Sequence, residues 1–178
     1  LESLACLVIL DFRTKQLRFR QGVMPANEQN RYHKVAMKRV YPTGLVVCDA
    51  VINGNSDRPV QALIDLGATY SILSRASVQS VLGKSMENLE TSKAVSAGID
   101  GQPMYMKETD LQSLALGGYQ GVAVPGLKVY AADIPQLEAI GLGQGMLSLG
   151  LDVLGQFGSI GFCFKEMALY LEKRGGDE

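Results

Sequence analysis

Histidine and cysteine are scarce in this 178-residue chain, and their scarcity excludes several kinds of site. His33 is the single histidine, so a site built from several histidines is impossible, and a Ser-His-Asp triad would have to use His33. No Gly-x-Ser-x-Gly motif accompanies it. The three cysteines form no Cys-x-x-Cys pair, which argues against a zinc site. We expect Cys6, Cys48 and Cys163 to be small buried thiols in a reducing compartment, the cytosol or an organelle interior.

An excess of charge and long hydrophobic runs are also lacking. The formal net charge is −1, so the composition gives no reason to expect a nucleic acid or an anionic membrane surface as a partner. No apolar run has the length of a membrane span, and no segment resembles a signal peptide. The 47% of hydrophobic residues is ordinary for a soluble globular protein. The length allows one domain, or one domain with a remnant of another.

Short apolar stretches separated by turn residues dominate the chain. Asn53-Gly54 is the pair that favours a tight hairpin between two strands. Ser74 is placed to cap a short helix that would extend to Leu82. Residues 111–124 alternate between apolar and small residues, and residues 127–131 form a further apolar stretch. We expect these two stretches to be separate strands. We predict roughly eight short strands and two short helices, that is, an all-β fold.

One internal repeat connects the two ends of the chain. Asp11–Phe19 aligns without gaps on Cys163–Leu171, with Phe, a basic residue, Leu and a terminal large apolar residue coinciding. The first stretch therefore resembles the tail of a lobe that would precede the main one, although short hairpins also resemble each other by chance. We divide the chain into a hairpin at 1–20, a surface linker at 21–43, the main domain at 44–172 and a polar tail at 173–178.

One acidic residue stands at the end of an apolar strand. Residues 62–64 lead into Asp65, and an acidic side chain in such a place is costly unless its charge is used. Gly67 then permits a tight turn with close approach of the backbone. The pattern predicts a carboxylate on the floor of a cleft. An Asp-x-Gly turn after a strand is also common as an ordinary surface turn.

This stretch resembles the signature of the retropepsin-like aspartic proteases, an apolar strand followed by Asp-Thr/Ser-Gly-Ala and a Thr/Ser-rich strand. Leu63–Ser71 reads Leu-Ile-Asp-Leu-Gly-Ala-Thr-Tyr-Ser. A second block of that family, apolar-apolar-Gly-x-Asp-x-Leu, resembles Met146–Leu154. Ala132–Leu137 is similar to the loop before that block, and the resemblance covers roughly Gly44 to Leu171. It implies a retropepsin-like acid-protease lobe with one or two short helices.

The resemblance also implies a catalytic dyad in which Asp65 is one half. Two aspartates from two lobes would share one proton and activate a water that attacks a polypeptide, so no cofactor and no metal are expected. The second lobe would be a homodimer mate or a missing N-terminal half. Asp152 matches a helix-start position, where it can accept from backbone N–H groups, and is not expected to be the second acid.

A second loop is expected to act as a lid. Residues 98–101, Gly-Ile-Asp-Gly, resemble the hairpin that closes over a bound peptide in this family, although an ordinary surface hairpin would look the same. The resemblance assigns substrate binding to residues beside the aspartate and in the lid, namely Gly67, Ala68, Ile99, Asp100 and Gly101.

Leu66 departs from the family pattern. The family has Thr or Ser there, and its hydroxyl bonds across the lobe interface and holds the two aspartate loops in register. Leucine cannot make this bond, and an unpaired buried donor costs about 1–3 kcal/mol. Two functions therefore stay open: an aspartic endopeptidase, or a catalytically inactive structural or assembly subunit of a larger complex. A module that binds peptides without cleaving them is a third.

Overall fold

The computed structural model describes residues 6–97, 103–117, 122–134, 137 and 145–173, most of which form two β-sheets. The strands are β1 (Cys6–Asp11), β2 (Gln16–Gln21), β3 (Tyr32–Ala36), β4 (Lys38–Val40), β5 (Leu45–Ile52), β6 (Val60–Ile64), β7 (Ile72–Ser74), β8 (Glu90–Ala97), β9 (Pro103–Leu116), β10 (Val122–Ala132), β11 (Met146–Leu149), β12 (Ser159–Cys163) and β13 (Ala168–Glu172). The short helices are α1 (Ala26–Gln29), α2 (Arg75–Leu82) and α3 (Leu151–Leu154), with a 3-10 turn at Met86–Asn88. The predicted all-β class is confirmed.

The larger sheet closes into a barrel around the main core. Its strand order is β4-β5-β6-β11-β7-β10-β9-β8, and β5 also pairs with β9, so six strands form a closed ring. Alternation along the strands gives the ring an apolar interior. In β10, for example, Val122 and Val124 are buried, while Ala123 between them is exposed. Closure leaves fewer free strand edges on this sheet than an open arrangement would.

Several predicted local features are confirmed, and one strand division is wrong. The Asn53-Gly54 turn joins β5 to β6 with both residues at positive φ, but the hairpin is longer than the tight one predicted, because residues 53–59 separate the two strands. The Ser74 hydroxyl accepts the N–H of Ser77 at the start of α2, as predicted. Residues 111–124 are not one strand, since β9 ends at Leu116 and β10 begins at Val122. Strand β10 then continues through Pro125-Gly126, which the sequence interpretation took for a break.

The smaller sheet has the order β2-β1-β12-β13-β3. The predicted N-terminal hairpin forms as β1 and β2, and β1 pairs with β12. The interpretation of residues 21–43 as a surface linker is wrong, because this segment contains α1, β3 and β4. Tyr32 and Val35 of β3 are buried, and β3 pairs with β13. Within β3 itself only these two apolar side chains are buried, a pattern too sparse to predict an edge strand.

The two cysteines whose side chains are described are buried and free, as expected. Cys48 lies in β5 with no exposed surface. Burial, with the neighbouring carboxylate of Asp49, raises the pKa of the Cys48 thiol to about 12. The thiol is therefore protonated and unreactive at neutral pH.

Glu172 joins four segments of the smaller sheet. The Nη2 of Arg13, in the turn of the first hairpin, lies 2.6 Å from Glu172 Oε2, and Arg31 Nη2 lies 2.9 Å from Oε1. Ser159 Oγ donates to Oε2 at 3.1 Å and also contacts the Tyr32 hydroxyl. Burial opposes ionisation of this carboxyl, but the hydrogen bonds from Arg13, Arg31 and Ser159 outweigh it, so the pKa of Glu172 lies below its usual 4.5.

We expect Glu172→Gln to lower the free energy of unfolding by about 1–3 kcal/mol at pH 7, because both arginines lose a charged acceptor. The pKa of Glu172 is depressed in the folded state, so its contribution is complete above pH 4.5 and is lost as the pH falls through the folded pKa. Urea unfolding between pH 7 and 2 should therefore show a shallower acid dependence in the variant. Asp49→Asn, which removes an exposed ion pair with Lys38, is the control and should change little. An unchanged acid dependence would contradict this role.

Candidate active site

Strand β11 runs between the two strands that flank the Asp65 loop. It pairs parallel to β6, with Leu149 opposite Ile64, and antiparallel to β7, with Leu147 opposite Leu73. The chain between β6 and β7 must therefore cross over the end of β11. This crossing places Asp65 next to the end of β11, where the Asp65 N–H donates to the carbonyl of Leu149 at 3.0 Å.

The side chain of Asp65 is partly buried and is oriented by its own loop. The N–H of Gly67 donates to Asp65 Oδ1 at 2.9 Å, and a Cβ at Gly67 would lie 3.3 Å from the same oxygen. The N–H of Ala68 donates to the Asp65 carbonyl at 3.3 Å. The glycine therefore lets the backbone approach the carboxylate closely while leaving it open to solvent on one side.

The carboxylate of Asp152 ties the loop to the second sequence block. Its Oδ2 accepts the Ser71 N–H at 2.8 Å, and its Oδ1 accepts the Ser71 hydroxyl at 2.6 Å. Ser71 Oγ in turn accepts the N–H of Gly150 at 2.9 Å. Ser71 is completely buried. The two blocks recognised in the sequence are thus joined by a partly buried, charge-assisted network.

The backbone completes this junction. The N–H groups of Leu151 and Asp152, at the start of α3, donate to the carbonyls of Ala68 and Thr69 at 2.9 and 3.1 Å. A Cβ on Gly150 would lie 2.6 Å from the backbone of Tyr70, a distance that real structures do not show. Glycine at this position is therefore required by packing of one main chain on another.

The structure brings together some of the predicted site residues and leaves others undescribed. Asp65, Gly67 and Ala68 share one loop, as their spacing requires. Ala97 of β8 lies opposite Pro103 of β9, so these strands form the arms of the predicted lid hairpin. Its tip, with Ile99, Asp100 and Gly101, lies outside the described residues.

Asp152 has a different main partner from the one expected. We expected it to accept backbone N–H groups at the start of a helix, and it does accept the N–H of Val153 at 2.9 Å. Its stronger contacts, however, go to Ser71, which the sequence interpretation included in the motif without giving it a role. The two residues are 81 positions apart, so spacing could not reveal the pair.

Neither a metal-binding cluster nor a membrane-spanning helix is found in the described part of the chain. No group of three or more His, Cys, Asp or Glu side chains among these residues could hold a metal ion. No helix within them is long and apolar enough to cross a membrane.

Replacing Asp152 by Asn tests the junction. Asparagine offers one acceptor oxygen, so either the N–H or the hydroxyl of Ser71 loses its partner, and we expect a loss of about 1–3 kcal/mol in unfolding free energy. Chemical denaturation measures this loss, and amide hydrogen exchange at Ser71 should become faster. The exposed residue Asp57 provides the matched control Asp57→Asn, which should leave both quantities unchanged. Equal stability of the two variants would show that the network is unimportant.

Comparison with solved structures finds several proteins to which this chain is similar. A retropepsin-like aspartic protease from Rickettsia conorii has a TM-score of 0.53 and 17% identity, over 79% of this chain and 90% of the other. The retroviral protease-like domain of Ddi1 from Leishmania major has a TM-score of 0.47 and 15% identity, over 73% and 90%. The EIAV protease, in complex with an inhibitor, has a TM-score of 0.43 and 22% identity, over 62% and 85%.

Sequence comparison assigns the family independently of the structure. No curated protein matches the chain significantly. The family model described as Aspartyl protease matches residues 48–153, which include both the Asp65 loop and the Gly150–Val153 block. The expected resemblance is thus confirmed: this chain belongs to the aspartyl protease family and has a retropepsin-like fold.

Proposed function

We propose that this chain is one lobe of an aspartic endopeptidase and that Asp65 supplies half of its catalytic dyad. The observation that carries the proposal is the position of Asp65 at the end of a buried strand. There Gly67 orients its carboxylate, and the Ser71–Asp152 network fixes the loop. Strong local constraint around a partly exposed carboxylate is typical of a catalytic acid or base.

The chemistry needs a second carboxylate close to the first. One carboxyl is ionised and takes a proton from water, whose oxygen attacks the carbonyl carbon of the peptide bond. The other is protonated and donates to the carbonyl oxygen. The tetrahedral intermediate then collapses and the C–N bond breaks. The leaving amine takes the proton that the first carboxyl removed from water, and the second carboxyl regains a proton from a hydroxyl of the intermediate. Two adjacent carboxyls share one proton readily because both cannot ionise at short range.

The second carboxylate has to come from another lobe. Asp152 is the acidic residue of the second block, and its two oxygens are occupied by Ser71 and by the N–H of Val153. It cannot act as the partner of Asp65 without breaking the junction that holds the loop. A homologous lobe, either in a homodimer mate or preceding this one, is therefore part of the proposed enzyme.

The proposed substrate is an extended polypeptide. Strands β8 and β9 extend to either side of the predicted lid, and β9 is 14 residues long. A lid built on a hairpin can pair with an extended chain as an added strand and exclude water from the dyad. Gly67, Ala68, Ile99, Asp100 and Gly101 are the residues we propose to contact the substrate.

Leu66 favours a second function, that of an inactive subunit in a larger assembly. Its side chain is 36% exposed beside Asp65 and offers no hydroxyl. A Thr or Ser at this place would bond across the lobe interface, whereas leucine offers an apolar surface to a partner. Such a lobe would keep its fold and lose the precise spacing of the two acids.

Asp65→Asn distinguishes these functions. In the correctly assembled protein, a peptide library at acidic to neutral pH should be cleaved by the unmodified protein, and the substitution should abolish cleavage because an amide cannot activate water. Mass spectrometry of the library measures the products, and Asp57→Asn is the control that should keep full activity. Absence of cleavage by the unmodified protein would reject the peptidase. Binding of peptides without turnover would then indicate the peptide-binding module.

Leu66→Thr tests the role of the missing hydroxyl. A hydrogen bond across the interface is worth about 1 kcal/mol or more, so kcat should rise about five-fold or more if positioning of the dyad limits the rate. KM should change little, because Leu66 is not among the residues proposed to contact the substrate. Leu66→Ala, which shortens the side chain without adding a hydroxyl, should not raise kcat. An equal gain in both variants would contradict the proposed cause.

A further inference from the structure

A cavity of about 310 Å³ opens at the end of the barrel that lies opposite to Asp65. It is formed between α2, the loop that precedes β6 and the start of β11. Strand β6 has five residues, so its start at Val60 is roughly 15 Å from Asp65, which follows its other end. The cavity is therefore separate from the site proposed for peptide cleavage. The described residues that line it include Arg58, Pro59, Val60, Ala76, Ser80 and Val81.

Hydrogen bonds to the main chain hold the walls of this cavity in place. Ser77 Oγ of α2 donates to the carbonyl of Met146 at 2.8 Å, and Ser74 Oγ accepts the N–H of Met146 at 3.3 Å. The N–H of Gln61 in β6 donates at 3.2 Å to the carbonyl of Gly145, which also lines the cavity. The helix and both strands are thus tied together before any ligand arrives. A preformed site of this kind loses little free energy to ordering when it binds.

Arg58 is the charged side chain among the described residues that line the cavity. Its Nη1 donates to the carbonyl of Ser80 at 2.8 Å. This carbonyl is one of the last four of α2, which have no partner within the helix, so the contact joins the loop to the helix end. A guanidinium has five N–H donors, and the others of Arg58 have no partner among the described residues.

The charge of Arg58 also lacks the kind of partner that other arginines have. Arg13 and Arg31 both contact the carboxylate of Glu172. In the part of the chain that the structure describes, no carboxylate lies within ion-pair distance of the Arg58 guanidinium. A planar cation with several unused donors is therefore available at the wall of an open cavity, and this geometry matches that of a carboxylate.

Apolar side chains form most of the rest of the described lining. Val60 is 2% exposed and belongs to the main core, and Val81 packs against that core while it stays partly exposed. Pro59 and Ala76 also line the cavity. No acidic side chain occurs among the described lining residues, so a cationic ligand would find no charged partner there. An apolar surface beside one guanidinium suits a ligand that joins a hydrocarbon body to a carboxylate.

From these features we infer that this cavity binds a small monocarboxylate with an apolar body. The carboxylate accepts from the unused N–H groups of Arg58, and the hydrocarbon part covers Val60 and Val81. The volume of the cavity equals that of about ten water molecules at about 30 Å³ each, so the ligand has about ten non-hydrogen atoms or fewer. This binding site goes beyond peptide cleavage, since nothing in its chemistry depends on Asp65.

The test titrates the 178-residue chain with isocaproate and follows the backbone amide signals by NMR. We expect saturable shifts at Arg58, Val60 and Val81, with a Kd of about 1 mM or lower. Isocaproamide has the same shape without the charge, and acetate has the charge without the apolar body. Each should bind about ten-fold more weakly or less, because each lacks one of the two contacts.

Two variants remove the two contacts separately. Arg58→Gln should weaken isocaproate binding about ten-fold or more, because glutamine keeps a donor for the Ser80 carbonyl but carries no charge. Ala76→Leu fills the cavity without changing the charge and should weaken binding to a similar extent. Lys84→Gln is the matched control, because it removes the charge of an exposed side chain just after α2, and it should leave the Kd unchanged.

Three results would overturn the inference. The first is the absence of saturable shifts at the residues that line the cavity. The second is equal affinity for isocaproate and isocaproamide, which would show that the guanidinium takes no part. The third is an unchanged Kd in both Arg58→Gln and Ala76→Leu, which would place the bound carboxylate elsewhere on the protein.

Discussion

The hydrogen bonds between Asp152 and Ser71 are the contacts on which the geometry of the site depends. They close the crossing of the Asp65 loop over β11 by joining a charged acceptor to a buried hydroxyl and N–H. Because Gly150 lies against the backbone of Tyr70, the two segments approach more closely than side chains would allow. The direction of the Asp65 carboxylate is then a consequence of main-chain packing, with little freedom left to the loop itself.

In the proposed enzyme, this lobe carries one half of the site. The proposed chemistry needs a second carboxylate beside that of Asp65. The departure at Leu66 affects the same boundary, since this residue stands beside Asp65 and would face the partner. A surface of this kind can therefore lose catalysis and still bind a partner subunit.

The fold and the turn that follows Asp65 could be predicted from the sequence because they depend on local patterns. Asp65 follows an apolar strand, Gly67 permits the turn, and Asn53-Gly54 specifies a hairpin. Strand β3 could not be predicted, since Tyr32 and Val35 are its only apolar side chains to be buried and its pairing with β13 is long-range. The same holds for the Ser71–Asp152 pair, whose residues are far apart in sequence and meet only after the barrel has closed.

The internal repeat was visible in the sequence, but its meaning depended on coordinates. The similar sequences of Asp11–Phe19 and Cys163–Leu171 predict two hairpins of the same kind. Only the pairing of β1 with β12 shows that the two hairpins are neighbours in one sheet. Only the coordinates show that Leu169 and Leu171 are buried, whereas their counterparts Leu17 and Phe19 are exposed. Burial depends on the complete set of neighbours, which no local pattern contains.

The pairing of β1 with β12 also has a kinetic consequence. Leu7 and Cys163 are roughly 150 residues apart, so the centre of the smaller sheet forms by closing a very long loop, a step that slows folding. During synthesis β1 and β2 would leave the ribosome long before β12. They would remain without this pairing partner until the rest of the chain had been made.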